Sequence, residues 1–146
     1  MTTPGRGAAA ACIARTADLE ALVRETYLLW EPGWTNFNWR AYTFDHVQRV
    51  RGLARTLCLA EGGDPEIVDL AALLHDVTKA WDGDYVVDAQ GRRAVDAEGY
   101  WRSAVRPPQG ENEVTRLFDA LGLAGTLHNV SGARVAQALL AHRGVP

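Results

Sequence analysis

The sequence predicts an all-α domain that carries one short irregular insert. Apolar residues recur every three to four positions along several segments, and Pro, Gly and capping residues separate these segments. Residues 82–110 alone lack the helical period and have turn residues every few positions. A chain of 146 residues fits one domain that buries roughly two-thirds of its unfolded surface. We therefore expect a disordered tail over 1–15 and a single domain over 16–146.

Two amphipathic helices are predicted before residue 62. The first covers residues 17–30, with Leu19, Leu22, Val23, Tyr27 and Trp30 on one face. The second covers residues 43–61; its buried face is predicted to carry Val47, Val50, Leu53, Ala54, Leu57 and Cys58, with Arg49, Arg51 and Arg55 mostly outside. Four aromatic residues between the helices either cap the core or wall a small-molecule pocket; they are Trp34, Phe37, Trp39 and Tyr42.

The third helix begins at Pro65, because Asp64 is a good N-cap and proline lacks the N–H that is unsatisfied at the first helical position. Its pattern continues into "AALLHDVTK", where ionisable residues replace the apolar ones. In the insert, "VDAQG" and "VDAEG" are typical of one duplicated turn, and Tyr85–Val87 is predicted to pair with Arg93–Val95. Two last helices cover residues 111–122 and 129–142, ended by Gly122 and Gly144.

Composition excludes some classes of function. The net charge of −3 gives no electrostatic reason to expect nucleic acid or an acidic membrane surface as a partner. No apolar run approaches the ~20 residues that cross a bilayer. Two separated cysteines, Cys12 and Cys58, form no C-x-x-C pair, which favours a reducing cytoplasm.

The candidate chemistry lies with the histidines. His46 shares a helical face with Val50, and His75 shares one with Ile67 and Ala71, which are expected inside. Both histidines are therefore expected to face inward beside Asp76. Buried imidazoles and carboxylates are costly unless they are paired or bind a cation. A divalent metal ion accepts both kinds of ligand. Core histidines with satisfied hydrogen bonds are the alternative, and spacing alone leaves both interpretations open.

The segment "YTFDHVQRVRGLARTLCLAEGGDPEIVDLAALLHDVTK", residues 42–79, resembles the HD-domain superfamily of metal-dependent phosphohydrolases. The resemblance implies an HD-like helical bundle in which His46, His75 and Asp76 bind a divalent ion (Mn, Fe, Co, Ni, Zn or Mg), with Asp76 also catalytic. Lys79, the only lysine in the chain, is implied either to contact a phosphate or to be an exposed solubilising residue.

The similarity is looser towards the C-terminus. "TLHNVSGA" is similar to the helix start that gives an extra histidine to a second metal in binuclear branches, so His128 is a secondary ligand candidate. His142 fits a capping or surface residue better. The family completes its first metal sphere with a later aspartate, yet no Asp or Glu follows Asp119. Truncation or degeneracy of the site is the favoured explanation. A natural short version of the domain, or substitution by Asp119 or Glu111, is the alternative.

These observations predict a metal-dependent phosphohydrolase that acts on a small phosphorylated substrate such as a nucleotide. The ion would activate a water and polarise a phosphoryl oxygen. Arginines of the insert either neutralise the phosphate or are solvated loop charges; they are Arg92, Arg93, Arg102 and Arg106. Two other functions stay open: an HD-fold di-iron oxygenase, which needs His128 and further ligands, and a non-catalytic HD-like module with an incomplete metal site.

Overall fold

The computed structural model describes residues 6–30 and 39–145, with side chains for 15–30 and 43–145. Its helices are α1 Arg6–Tyr27, α2 Trp39–Glu61, α3 Pro65–Leu74, α4 Glu113–Ala120 and α5 His128–His142. A 3-10 turn, Lys79–Trp81, leads into the strands β1 Asp82–Tyr85 and β2 Ser103–Val105. This confirms the prediction of an all-α fold with a small insert. The side chains of the four aromatics at 34–42 lie outside the described residues.

Helix α1 starts earlier than the sequence predicts. The expected start is residue 17, whereas the helix begins at Arg6. Residues 7–14 are rich in alanine, which has the highest helix propensity of all residues. The residues from Arg6 to 15, predicted as part of a disordered tail, therefore lie within α1. The predicted apolar face is confirmed at Leu19, Val23, Tyr27 and Trp30, which are buried, whereas Leu22 is partly buried.

The buried face of α2 differs from the prediction. Leu53 and Leu57 are exposed, whereas Arg51 is buried together with Val47 and Cys58. Arg51 donates from Nε and Nη2 to the two oxygens of Asp69 at 3.0 and 2.8 Å. This pairing fixes the rotation of α2, and a residue two positions from Arg51 lies roughly 200° around the helix. The charged residue therefore faces inward and the leucines face outward.

Helix α3 begins as predicted and ends sooner. Asp64 caps it by accepting hydrogen bonds from the N–H groups of Glu66 and Ile67 at 2.9 and 3.2 Å. After Leu74 the backbone hydrogen bonds join residues three apart instead of four. Val77 N–H donates to Leu74 O, and Lys79 N–H donates to Asp76 O. His75 and Asp76 therefore lie on a turn past the helix end, which corrects the prediction that they belong to the helix. Ile67 and Ala71, expected inside, are exposed.

The core lies between the five described helices, with Val47 as the contribution of α2. Trp81 stacks on Phe118 and packs edge-on against Trp30, with 4.5 Å between ring centroids in both pairs. Val135 and Leu139 of α5 are fully buried in the same cluster. The turn that carries His75 and Asp76 is thus held against the core at Trp81. No helix in residues 6–30 and 39–145 is long and apolar enough to cross a membrane.

The insert is a small antiparallel sheet with a duplicated turn. Asp82 lies opposite Val105 and Tyr85 opposite Ser103, with a bulge between them. The predicted pairing of Tyr85–Val87 with Arg93–Val95 is present as a Val87–Arg93 bridge, whereas the longer strand pair is β1 with β2.

Both copies of the duplicated turn have the same geometry, as the sequence predicts. Asp88 Oδ1 accepts from the N–H groups of residues 90 and 92, and Asp96 Oδ1 accepts from those of residues 98 and 100. Each turn ends in a glycine with positive φ, 74° at Gly91 and 87° at Gly99. A side chain is strained in this conformation, which explains the glycine in both copies.

Candidate metal centre

Three predicted ligands meet at the junction of α2 with the turn after α3. His46 Nε2 lies 3.3 Å from His75 Nε2, and each of these nitrogens lies 3.5 Å from Asp76 Oδ2. Asp76 is buried, whereas both imidazoles are partly open to solvent. This arrangement brings three potential ligand atoms together where a buried carboxylate meets two partly exposed imidazoles.

The protonation pattern of His75 favours a cation. Its Nδ1 lies 2.7 Å from the carbonyl oxygen of Ala72, which can only accept a hydrogen bond, so we assign the proton to Nδ1. Nε2 of the neutral ring then presents a lone pair to His46 and Asp76. Metal-binding histidines are oriented in this way by a carbonyl on the other ring nitrogen.

The spacing of the donor atoms also suits one ion. Two ligands that each bind a metal at about 2.1 Å lie roughly 3.0 to 3.4 Å apart, close to the separations among the three donor atoms. A set of two imidazoles and one carboxylate is a common one for first-row divalent metals. His46, His75 and Asp76 therefore fit a divalent metal, and their role as ligands remains a prediction.

A second group of side chains reaches the other oxygen of Asp76. His128 Nε2 lies 3.4 Å from Asp76 Oδ1, and Lys79 Nζ lies 3.2 Å from the same nitrogen. Lys79 Nζ is also 3.8 Å from Asp76 Oδ2. The structure thus places the other four predicted site residues around the Asp76 carboxylate; they are His46, His75, Lys79 and His128. The role of His128 as a secondary metal ligand stays a prediction.

Sequence reasoning missed two residues that hold the site. Tyr27 donates from its hydroxyl to the main-chain oxygen of Asp76 at 2.7 Å; burial, and then the charge of Asp76, raise the Tyr27 pKa well above its usual value. Asp82 contacts His128 Nδ1 through Oδ2 and accepts the His128 backbone N–H on Oδ1 at 3.1 Å. The sequence predicted Tyr27 as a core residue and placed Asp82 in a turn-rich segment, so neither gave a functional signal.

Helix α5 packs closely on the turn that carries the ligands. Thr78 Oγ1 and Ser131 Oγ share a buried hydrogen bond of 2.8 Å. A Cβ added at Gly132 would lie 3.3 Å from the carbonyl oxygen of His75 and 3.4 Å from Thr78 Oγ1. Gly132 therefore permits the close approach that brings His128 to Asp76.

Other candidates lie away from these donors. Asp119 and Glu111 are exposed and are not part of the His46, His75 and Asp76 group, so neither supplies the missing carboxylate there. His142 is exposed, with Nδ1 3.6 Å from Glu113 Oε1, as a surface residue would be.

The four arginines of the insert differ in their surroundings. Arg92 pairs with Asp88, and Arg93 covers the rings of Tyr85 and Trp101 at 3.8 and 4.4 Å. Burial lowers the pKa of Arg106 to about 10, and the charges of Asp84 and Asp82 partly oppose this shift. Arg106 is therefore the insert arginine whose charge is coupled to Asp82, next to the candidate site.

Comparison with known proteins agrees with the geometry. The family model for the HD domain matches residues 43–145, which cover the donor atoms on α2, the turn after α3 and α5. No curated protein and no solved structure matches the chain. HD domains bind divalent metals and form a superfamily of metal-dependent phosphohydrolases, which agrees with the His46, His75 and Asp76 group. The chain belongs to the HD-domain family.

Proposed function

We propose that this protein is a metal-dependent phosphohydrolase whose substrate is a nucleotide or another small phosphoester. The observation that carries the proposal is the convergence of His46 Nε2, His75 Nε2 and Asp76 Oδ2 within 3.5 Å. Because the Nδ1 proton of His75 is held by Ala72 O, this group has more acceptors than donors. A bound divalent cation, with His128 as a secondary ligand, corrects that imbalance.

The surrounding cations suit a phosphate. When bound, a divalent ion supplies the charge that activates water and polarises a phosphoryl oxygen. Lys79 carries the ammonium group nearest Asp76 and binds a phosphate oxygen as a point charge. Arg106 contributes a second positive charge near Asp82. Hydrogen-bonding cations of this kind stabilise the charge that develops on a transferred phosphoryl group.

The direct test is hydrolysis by protein loaded with Mn²⁺, Co²⁺, Ni²⁺, Zn²⁺ or Fe²⁺, assayed on a panel of nucleoside mono-, di- and triphosphates and simple phosphate esters. We expect Asp76→Asn to abolish phosphate release and Lys79→Gln to raise KM. His142→Gln, an exposed histidine on α5, is the matched control and should retain wild-type rates. Phosphate release that persists unchanged in Asp76→Asn would contradict the proposal.

The same preparations distinguish the other functions. Oxygen uptake that requires iron and His128, without phosphate release, would identify an oxygenase. Metal binding without either activity would identify a non-catalytic module. We further propose a cytoplasmic site of action, which is supported by the free, buried thiol of Cys58 and the absence of a C-x-x-C pair.

A further inference from the structure

Asp82 is the first residue of β1 and holds His128 at two points. Its Oδ2 contacts Nδ1 of the imidazole, and its Oδ1 accepts the backbone N–H of the same residue at 3.1 Å. His128 is the first residue of α5, and the N-cap Leu127 provides no side-chain hydrogen bond. A carboxylate from another element therefore satisfies an N–H that the helix leaves unpaired, and also fixes the ring.

The two contacts determine where the His128 proton lies. An ionised carboxylate only accepts hydrogen bonds, so the Asp82 contact requires a proton on Nδ1. The neutral ring then has its lone pair on Nε2, which faces Lys79 Nζ at 3.2 Å and Asp76 Oδ1 at 3.4 Å. With the proton on Nε2 instead, Nδ1 and Oδ2 would be two acceptors in contact.

The insert forms backbone contacts with the residue before Asp82 and with the loop before His128. Arg106 N–H donates to Trp81 O at 3.0 Å, immediately before Asp82, and Ser103 N–H reaches Gly125 O at 3.4 Å. Arg102 forms a bridge with Thr126, two residues before His128. The carboxylate and the start of α5 are therefore tied to the same small sheet, which limits movement of one relative to the other.

We propose that Asp82 is a positioning residue that fixes the tautomer and orientation of His128, so that its Nε2 lone pair faces the Asp76 carboxylate. The inference deepens the proposed function. The use of the His128 Nε2 lone pair as a metal ligand rests on that function. Asp82 acts only through His128. Partners of this kind on metal-binding histidines typically change metal affinity by about 10- to 100-fold.

The decisive experiment is ¹⁵N NMR of the His128 ring in metal-free protein at about pH 8.5, where an ordinary histidine is neutral. His128→Gln identifies the signals. We expect wild-type protein to carry the proton on Nδ1. A proton on Nε2, or on both nitrogens, would overturn the proposal without any Asp82 variant.

Variants then separate positioning from capping. Asp82→Asn keeps one acceptor oxygen for two donors, so we expect a measurable population with the proton on Nε2; Asp82→Glu keeps both oxygens and should restore the wild-type signals. Asp84→Asn, on the same strand, is the control. A purely structural cap would leave the tautomer unchanged in folded Asp82→Asn, and that result would contradict the proposal.

Metal titration shows whether the orientation is used. We expect Asp82→Asn to bind Mn²⁺ at least about 10-fold more weakly than Asp84→Asn. Equal affinities would refute the positioning role in metal binding. A wild-type protein that binds none of the metals tested would refute the proposed function, and the tautomer would still decide whether Asp82 fixes the ring.

Discussion

Two groups of ionisable side chains next to α2 and α3 differ in how completely their members pair. The Arg51 cluster, consisting of Arg51, Asp69 and Glu20, is closed. Arg51 donates to Asp69 at 2.8 and 3.0 Å and to Glu20 at 2.8 Å. Each donor faces a carboxylate oxygen at an ordinary hydrogen-bond distance. The charges of this cluster are satisfied by the chain alone.

The His75 cluster, consisting of His46, His75 and Asp76, is open. Its three potential ligand atoms are 3.3 to 3.5 Å apart. Once His75 carries its proton on Nδ1, His75 Nε2 and Asp76 Oδ2 can only accept hydrogen bonds. The nearest cation, Lys79, remains 3.8 Å from Asp76 Oδ2. The comparison teaches that buried charge alone does not identify a site. A surplus of hydrogen-bond acceptors around one point identifies it.

The largest expected effect is a loss of folding stability when the Arg51 cluster is broken. Arg51→Met leaves buried Asp69 without its main partner, so we expect the free energy of unfolding to fall by about 3 kcal/mol. Arg55→Met is the matched control; its side chain is 55% exposed although it also contacts Asp69, and the loss should stay below about 1 kcal/mol. Urea unfolding of both variants measures the difference. Equal losses would show that the Arg51 cluster is not the closed, buried element described here.

A smaller effect is expected at the support of the His75 cluster. Tyr27→Phe removes the hydroxyl that donates to Asp76 O at 2.7 Å, which should cost about 1 kcal/mol of stability. Because the Asp76 main chain loosens, metal affinity should also fall by about 10-fold. Tyr85→Phe, at an exposed tyrosine, is the control. If Tyr27→Phe lowers stability without any change in metal affinity, Tyr27 supports only the core.

The smallest effect is the response of the Arg51 cluster to acid. Burial acts to raise the pKa of Asp69, but hydrogen bonds from Arg51 and Arg55 outweigh it and lower the pKa below its usual value. The stability that this depressed pKa provides is present above the unfolded-state value of about 3.9 and is lost as pH falls through the folded-state pKa.

The difference in unfolding free energy between wild type and Arg51→Met should therefore be constant above about pH 5 and narrow below about pH 4. Urea unfolding of both proteins across this range measures it. A difference that widens on acidification would contradict the stabilising role of ionised Asp69.

The sequence predicts the parts of this molecule that depend on local chemistry. The Asp64 and Pro65 helix start and the duplicated turn follow from residues that are near in sequence. The grouping of His46 with His75, 29 residues apart, follows instead from the resemblance to the HD-domain superfamily. Arg51 could not be predicted as buried, because Asp69, 18 residues away, decides the rotation of α2. Asp82 could not be assigned to the site either. Its partner His128 lies 46 residues away, and the contact depends on how the insert packs on α5.

The measurement that tests the central claim most directly is the unfolding free energy of metal-free protein with and without Mn²⁺. If the surplus acceptors of the His75 cluster bind an ion, wild-type stability should rise with Mn²⁺, by about 2.7 kcal/mol at a concentration 100-fold above Kd. Arg55→Met should show the same rise, and His75→Ala should show none. No rise in wild type, or an equal rise in His75→Ala, would contradict the assignment of these side chains to a metal centre.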